Sequence, residues 1–264
     1  MILYYSNWFE EDGGDSPDSS MTLADMQGFM ETVRGLNGPN LDLILHLPGG
    51  DPHAAENILN YLRAKFKGEI RVFIPMAAMS AGTMLALGCD RIVMGAHSQL
   101  GPIDPQIPQI SGGLIRYAPT KAILEQFDMA RQDIKQDPNV LAVWAPILQQ
   151  YGPSLLTECQ ALETLAKTLV QQWLQQWMLK GNQPLAASVS QWFANYNTHL
   201  SHGRGIYRDD ARMQGVVVDN LESSQAFQDA VLSAHHATMH TFTGLPVAKI
   251  IENHLGISVV RFSR

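Results

Sequence analysis

Ile74-Pro75-Met76-Ala77-Ala78-Met79-Ser80-Ala81-Gly82-Thr83-Met84-Leu85-Ala86 is the stretch that decides the fold. The run it continues, Ile70 to Pro75, is short and apolar with β-branched residues, the pattern of a buried strand. The run that follows Ser80, Ala81 to Leu87, is built of good helix formers. Ser80 stands at the junction among small residues. Serine is a common helix N-cap, and that is the plainer role. The same position also suits a nucleophile. Unpaired backbone N–H groups and the positive end of a helix favour the negative charge that nucleophilic attack creates.

Working outward, strand-turn-helix units repeat on both sides. Leu41 to Leu47 reads as a buried strand, followed by Pro48-Gly49-Gly50. A helical stretch from Pro52 to Lys67 ends at Gly68. Further upstream, Ile2 to Phe9 is aromatic and β-branched enough for a strand, and Glu10 to Ser20 is an acidic loop. Thr22 is placed to cap a helix over Leu23 to Leu36. Downstream, Asp90 to Met94 is a short strand, and Gly95 to Gln106 is rich in turn residues. This alternation predicts a mainly parallel α/β sheet with helices on both faces. The second half is mostly helical, with helices expected at Thr120 to Lys135, Ser154 to Lys180, Ser188 to Thr198, Asp209 to Met213 and Glu222 to Met239. Gly181 is a helix stop, Val216 to Val218 is strand-like, and Ile257 to Phe262 is a last strand. Residues 1–150 are therefore expected to form the core. Residues 151–264 are expected to form a mainly helical extension, packed on that core or mediating oligomerisation.

Composition narrows the function classes. A 264-residue chain with 45% hydrophobic and 16% charged residues is globular, not disordered. A net charge of −7 without a basic run argues against nucleic acid as a partner. Cys89 and Cys159, far apart and without a CxxC, fit buried thiols in a reducing compartment. The N-terminus lacks the basic region of a signal peptide, and no apolar run reaches the roughly 20 residues of a membrane span. We therefore expect a soluble cytoplasmic protein.

Two glycines at a strand end let a backbone approach a ligand and present an N–H to it. Gly49 and Gly50 have that placement, although a tight turn is the plainer role. An oxyanion hole needs such a donor together with a second N–H from the residue after the nucleophile, here Ala81. No G-x-G-x-x-G follows the strand, so a dinucleotide fingerprint is absent.

Three blocks occur in order. They are His46-Leu-Pro-Gly-Gly50, Ala78-Met-Ser-Ala-Gly-Thr83, and Ile92-Val-Met-Gly95 followed by Leu100-Gly-Pro-Ile-Asp-Pro-Gln106. Together they resemble the ClpP/crotonase superfamily, and within it the serine dehydrogenase proteinase family, related to signal peptide peptidase A and the membrane-associated serine peptidases. The resemblance implies a ClpP/crotonase-like fold and an ATP-independent serine peptidase acting on peptides or unfolded proteins, without a cofactor. It implies Ser80 as nucleophile, with Gly49 or Gly50 and Ala81 as oxyanion donors. ClpP draws its base from a histidine on the strand after the nucleophile helix, but the corresponding segment here holds none; His97 lies at its start. The signal peptide peptidase branch uses a lysine, and Lys121, 41 residues after Ser80 and following the Gly112-Gly113 loop, matches that placement. Its mostly apolar neighbours predict desolvation, which would ease proton acceptance. Thr83 stands where that branch usually has an aromatic. The superfamily commonly assembles into rings or stacked trimers, so a homo-oligomer is expected.

The remaining candidates read as structural. His46 lies in an apolar strand and His53 in a loop. His199 and His202 fall in a polar stretch, and Asp104 is a turn former. His236 and His240 are spaced i, i+4 without an acidic partner, so no metal site is expected. Two rival functions share the fold. A crotonase-like acyl-CoA enzyme would need a carboxylate near the Gly49-Gly50 turn, for which Glu56 is the nearest candidate. A non-catalytic assembly protein would use the apolar stripe from Leu155 to Trp177.

Overall fold

The computed structural model describes residues 1–9, 18–111 and 114–263, the side chains of residues 110, 111, 114 and 115 excepted. Most of the expected Glu10–Ser20 loop, and the Gly112-Gly113 loop, lie outside the described residues.

The chain begins with β1 (Ile2–Ser6), α1 (Asp25–Thr32), β2 (Leu41–His46), α2 (Pro52–Lys65), β3 (Ile70–Ile74), β4 (Ala77–Ala78), α3 (Ala81–Leu87), β5 (Arg91–Met94) and β6 (Gln99–Leu100). A hairpin follows, β7 (Gln106–Ser111) and β8 (Leu114–Pro119), then α4 (Thr120–Gln136), α5 (Leu141–Leu148), α6 (Leu155–Gln176), α7 (Gln183–Phe193) and α8 (Tyr196–His199). The last elements are β9 (Ile206–Tyr207), α9 (Arg208–Met213), β10 (Val218–Asn220), α10 (Gln225–Gly244), β11 (Val247–Asn253) and β12 (Ser258–Phe262).

Seven strands form the central sheet in the order β10-β5-β3-β2-β1-β11-β12. The pairings from β10 through to β1 are parallel, and β11 and β12 run antiparallel at one side. The sheet is mainly parallel, as the alternation of elements predicts. Both faces are covered, so strand residues are apolar at successive positions. Ile2, Tyr4, Leu43, Leu45, Val72 and Ile74 face α1, α2, α3, α6 and α7. Leu3, Tyr5, Ile44, Phe73 and Val93 face α10. Residues 151–264 are more than a helical layer: they supply β10, β11 and β12 to the sheet.

Several boundaries differ from the sequence expectation. Ala24, not Thr22, precedes α1; the Thr22 N–H instead donates to the Asp25 carboxylate at 2.7 Å. The helix α6 stops at Gln176, and Gly181 adopts φ +85° in the turn beyond it. The segment after Gln106 forms a hairpin in which β7 and β8 pair antiparallel.

A smaller three-stranded sheet, β4-β6-β9, stands beside the carboxyl ends of β2 and β3. It is joined to the central sheet by a parallel bridge between Leu47 and Ala78. That bridge is what brings the Gly49-Gly50 turn to Ser80.

Candidate active site

The backbone after β2 and the backbone before α3 are laced together. Leu47 N–H donates to Ala77 C=O at 3.1 Å, and Met79 N–H donates to Leu47 C=O at 2.9 Å. The next residues on both sides therefore meet. A Cβ on Gly49 would lie 2.5 Å from Ser80 Cβ and 2.9 Å from Met79 O. Gly49 has φ +111° and Gly50 has φ +142°, values that side-chain-bearing residues rarely adopt. Glycine is required here both by conformation and by close approach. Among the described residues, the Gly49, Gly50 and Ala81 N–H groups donate to no acceptor.

Ser80 has φ 50° and ψ −119°, and its hydroxyl makes no capping hydrogen bond. The Gly82 N–H donates back to Met79 C=O at 2.7 Å. These values match a type II′ turn with Ser80 at its first central position, where glycine is the usual occupant. A plain N-cap has extended backbone and uses its oxygen to bind the helix. Ser80 does neither. A strained strand-to-helix turn that projects a serine is the geometry of a nucleophile elbow.

Thr83 locks the elbow from behind. Its buried hydroxyl donates to Ala78 C=O at 2.7 Å and accepts from the Gly101 N–H at 2.8 Å. The chain after β6 is thereby held against Met79; a Cβ on Gly101 would lie 2.6 Å from Met79 Cε. The segment then runs to α4, where the Thr120 N–H donates to Pro105 C=O at 3.0 Å.

Lys121 follows in the first turn of α4. Its amine pairs with Glu125 at 3.6 Å, and the side chain is 43% exposed. The desolvation expected from its apolar sequence neighbours is therefore not found: Ile123 is buried, but Tyr117, on β8, is itself exposed. Glu125 also accepts from Asn197 Nδ2 at 2.9 Å, which ties α4 to α8.

One pair is not anticipated by the sequence. Asp104 is 2% exposed and accepts from His202 Nδ1 at 2.9 Å and from Gln106 Nε2 at 2.9 Å. The two lie 98 residues apart, so no local motif signals them. Strand register puts them on the elbow's side of the small sheet. Ala78 opposes Leu100, and Leu100 opposes Ile206. Ser80 and Asp104 leave that row in one direction, and His202 enters it from the same direction because β9 is antiparallel.

The other histidines have structural settings. His97 bonds Pro75 C=O through Nε2 at 2.8 Å. His199 bonds Trp192 C=O at 2.9 Å. His46 is fully buried, and burial together with the neighbouring His235 holds it neutral, its pKa pushed down to about 3. Glu56 is half-buried on α2. Among the described residues, no group of three or more His, Cys, Asp or Glu is arranged to hold a metal ion. Cys89 and Cys159 are both buried free thiols, Cys89 donating to Leu85 C=O at 3.4 Å, and burial pushes the Cys89 thiol up to about 12. No helix among the described residues is long and apolar enough to cross a membrane.

Residues 20–142 match the family model described as ClpP-like SDH-type serine proteinase. The match covers a little under half of the chain. Within the matched segment fall Gly49, Gly50, Ser80, Ala81, Asp104 and Lys121, whereas His202 lies outside it. Uncharacterized protein MJ0137 of Methanocaldococcus jannaschii is 40% identical over 90 residues, which are 34% of this chain and 31% of that protein. Uncharacterized protein MJ1495 of the same organism is 36% identical over 122 residues, 46% of this chain and 39% of that protein. The chain thus spans at most 39% of the length of these curated relatives. Two solved structures of the 1510-N membrane-bound stomatin-specific protease are similar, each 19% identical with a TM-score of 0.43. One is a serine-to-alanine mutant, and the other is a lysine-to-alanine mutant in complex with a substrate peptide. They cover 76% of this chain, which in turn covers 75% and 71% of them.

Proposed function

We propose that this protein is an ATP-independent serine endopeptidase with Ser80 as its nucleophile. The observation that carries this reading is the contact between Gly49 and Ser80, with Ser80 held at positive φ. A serine needed only as a cap has no reason to adopt that conformation. In the proposed reaction Ser80 Oγ attacks the peptide carbonyl carbon. The N–H groups of Gly49 or Gly50 and of Ala81 hold the oxyanion. Lys121 takes the hydroxyl proton and passes it to the departing amine. Water then hydrolyses the acyl-serine by the reverse sequence.

Lys121 in its resting state is paired with Glu125 and half in water. For it to serve as base, the bound peptide has to cover the turn, displace water and draw the amine from Glu125. The contact between Asp104 and His202 favours a second assignment, in which His202, oriented through Nδ1 by a buried carboxylate, takes the proton instead. Both assignments keep the same nucleophile and donors. The substrate we expect is a peptide or an unfolded protein, and a homo-oligomer in the cytoplasm is the expected working form.

The test is cleavage of an unfolded protein by Ser80→Ala, Lys121→Ala and His202→Gln, each beside the parent. Loss in the serine variant is expected, and parent-like cleavage by that variant would overturn the proposal. Loss in only one of the other two identifies the base.

A further inference from the structure

The turn that presents Gly49 and Gly50 does not hold itself. Met21 is bridged to Gly50: the Met21 N–H donates to Gly49 C=O at 2.7 Å, and Met21 C=O accepts from the Asp51 N–H at 2.9 Å. The fit is tight enough that a Cβ on Gly50 would lie 2.3 Å from Met21 O. Met21 spends both of its backbone groups on the turn, so something else must fix Met21.

The peptide groups on either side of it end in one buried ion pair. Ser20 C=O accepts from Lys249 Nζ at 2.7 Å, and the Thr22 N–H donates to Asp25 Oδ2 at 2.7 Å. Lys249 and Asp25 meet at 2.7 Å, with side chains each only 2% exposed. Burial lowers the Lys249 pKa, while the Asp25 carboxylate opposes that shift. An ion pair so thoroughly removed from water is a weak source of net stability, since desolvation offsets much of its attraction. Its geometric effect is clear. It clamps the strap of Ser20, Met21 and Thr22 at both flanking peptides.

We propose that the Lys249–Asp25 pair is a positioning element for the oxyanion turn, acting through that strap on the Gly49 and Gly50 N–H groups. This rests on the peptidase reading for its kinetic consequence, but not for its structural one. Neither residue touches substrate. Each is a positioning residue, and its effect belongs to the transition state, where donors must meet a charge that the ground state lacks.

The test compares Asp25→Asn, Lys249→Met and Thr22→Pro with the parent. Thr22→Pro leaves both members of the ion pair in place and removes the strap's N–H together with the threonine hydroxyl that also reaches Asp25, so it carries the test if the buried variants fail to fold. Asn253→Ala is the control. That side chain is 3% exposed and also ties β11 to α1, through Thr32 C=O at 2.6 Å, but it does not touch the strap. The first readout is hydrogen–deuterium exchange of the peptide spanning residues 44–52. We expect faster exchange there in the three strap variants and not in the control, with thermal melts showing all of them folded. The second is steady-state cleavage, where kcat falls roughly tenfold or more while KM stays within about twofold, the signature of a lost transition-state contact. Folded strap variants with parental exchange at 44–52 would overturn the inference. So would exchange that rises equally in Asn253→Ala. If the parent cleaves nothing, the peptidase reading falls while the exchange result still decides the clamp.

Discussion

Ser80 is crowded by its own backbone at φ 50°, and Gly49 leaves it no room on the other side. Gly49→Ala therefore has two effects. The added methyl has to push Ser80 or Met79 aside, and the residue must adopt φ +111°. We expect a loss of about 1–3 kcal/mol in stability and at least about a hundredfold in kcat, measured by denaturant unfolding and by cleavage assay. His46 gives a pH signature. Its folded pKa is about 3 and that of His235 about 4, both below the ordinary histidine value because burial disfavours the charged ring. The fold accepts the neutral forms, so their stability is intact above about pH 6.5 and is lost as pH falls toward 4 and then 3. Thermal melts across that range should show the decline, and His46→Leu should flatten part of it. An unchanged slope in that variant would exclude His46 as a source. At this scale the sequence showed the serine and the glycines because both follow short apolar strands. The exposure of Lys121 was hidden, since it depends on which face of α4 meets α6. The partnership of Asp104 and His202 was hidden because the small sheet, not the local sequence, joins them.

Among elements, α3 is buried along its whole length, and Thr83 is its one polar anchor to the strands. Thr83→Val keeps the shape and removes both hydrogen bonds, leaving the Gly101 N–H without its partner. The expected cost is about 1–3 kcal/mol by denaturant unfolding, with a drop in kcat because Gly101 no longer braces Met79. The position where the signal peptide peptidase branch usually has an aromatic thus acts here on the elbow's support. Most elements are legible from period and punctuation. The strand β11 is not, because Lys249 and Glu252 interrupt its apolar pattern. Lys249 is buried only because Asp25, on another element, receives it. The α6 stripe is legible as helix, and Leu169, Val170, Trp173 and Leu174 join the main core.

Across the whole molecule, the hairpin β7–β8 and the α4–α5 arm carry large apolar residues in the open. Tyr117 is 70% exposed, Met129 56%, Leu141 51% and Val143 69%. We expect these to be covered by another copy of the chain. Val143→Glu should lower the mass measured by analytical ultracentrifugation while leaving the circular dichroism spectrum unchanged, and a parent that sediments as a monomer would refute this. That helices cover both faces was legible from the alternation of elements. That the last strands enter the sheet beside the first was not, because pairing across such a separation leaves no periodic trace.

This long-range closure also bears on when the site first becomes usable. Asp25 and Lys249 are separated by 224 residues, and β1 finds one of its two neighbours only when β11 has been made. If the peptidase reading holds, chains that stop short of β11 should therefore be inert toward peptides even with residues 20–142 complete. Refolding should be slow, as contacts of high sequence separation dictate. On the peptidase reading, activity would then appear in a single late step, when β11 pairs with β1.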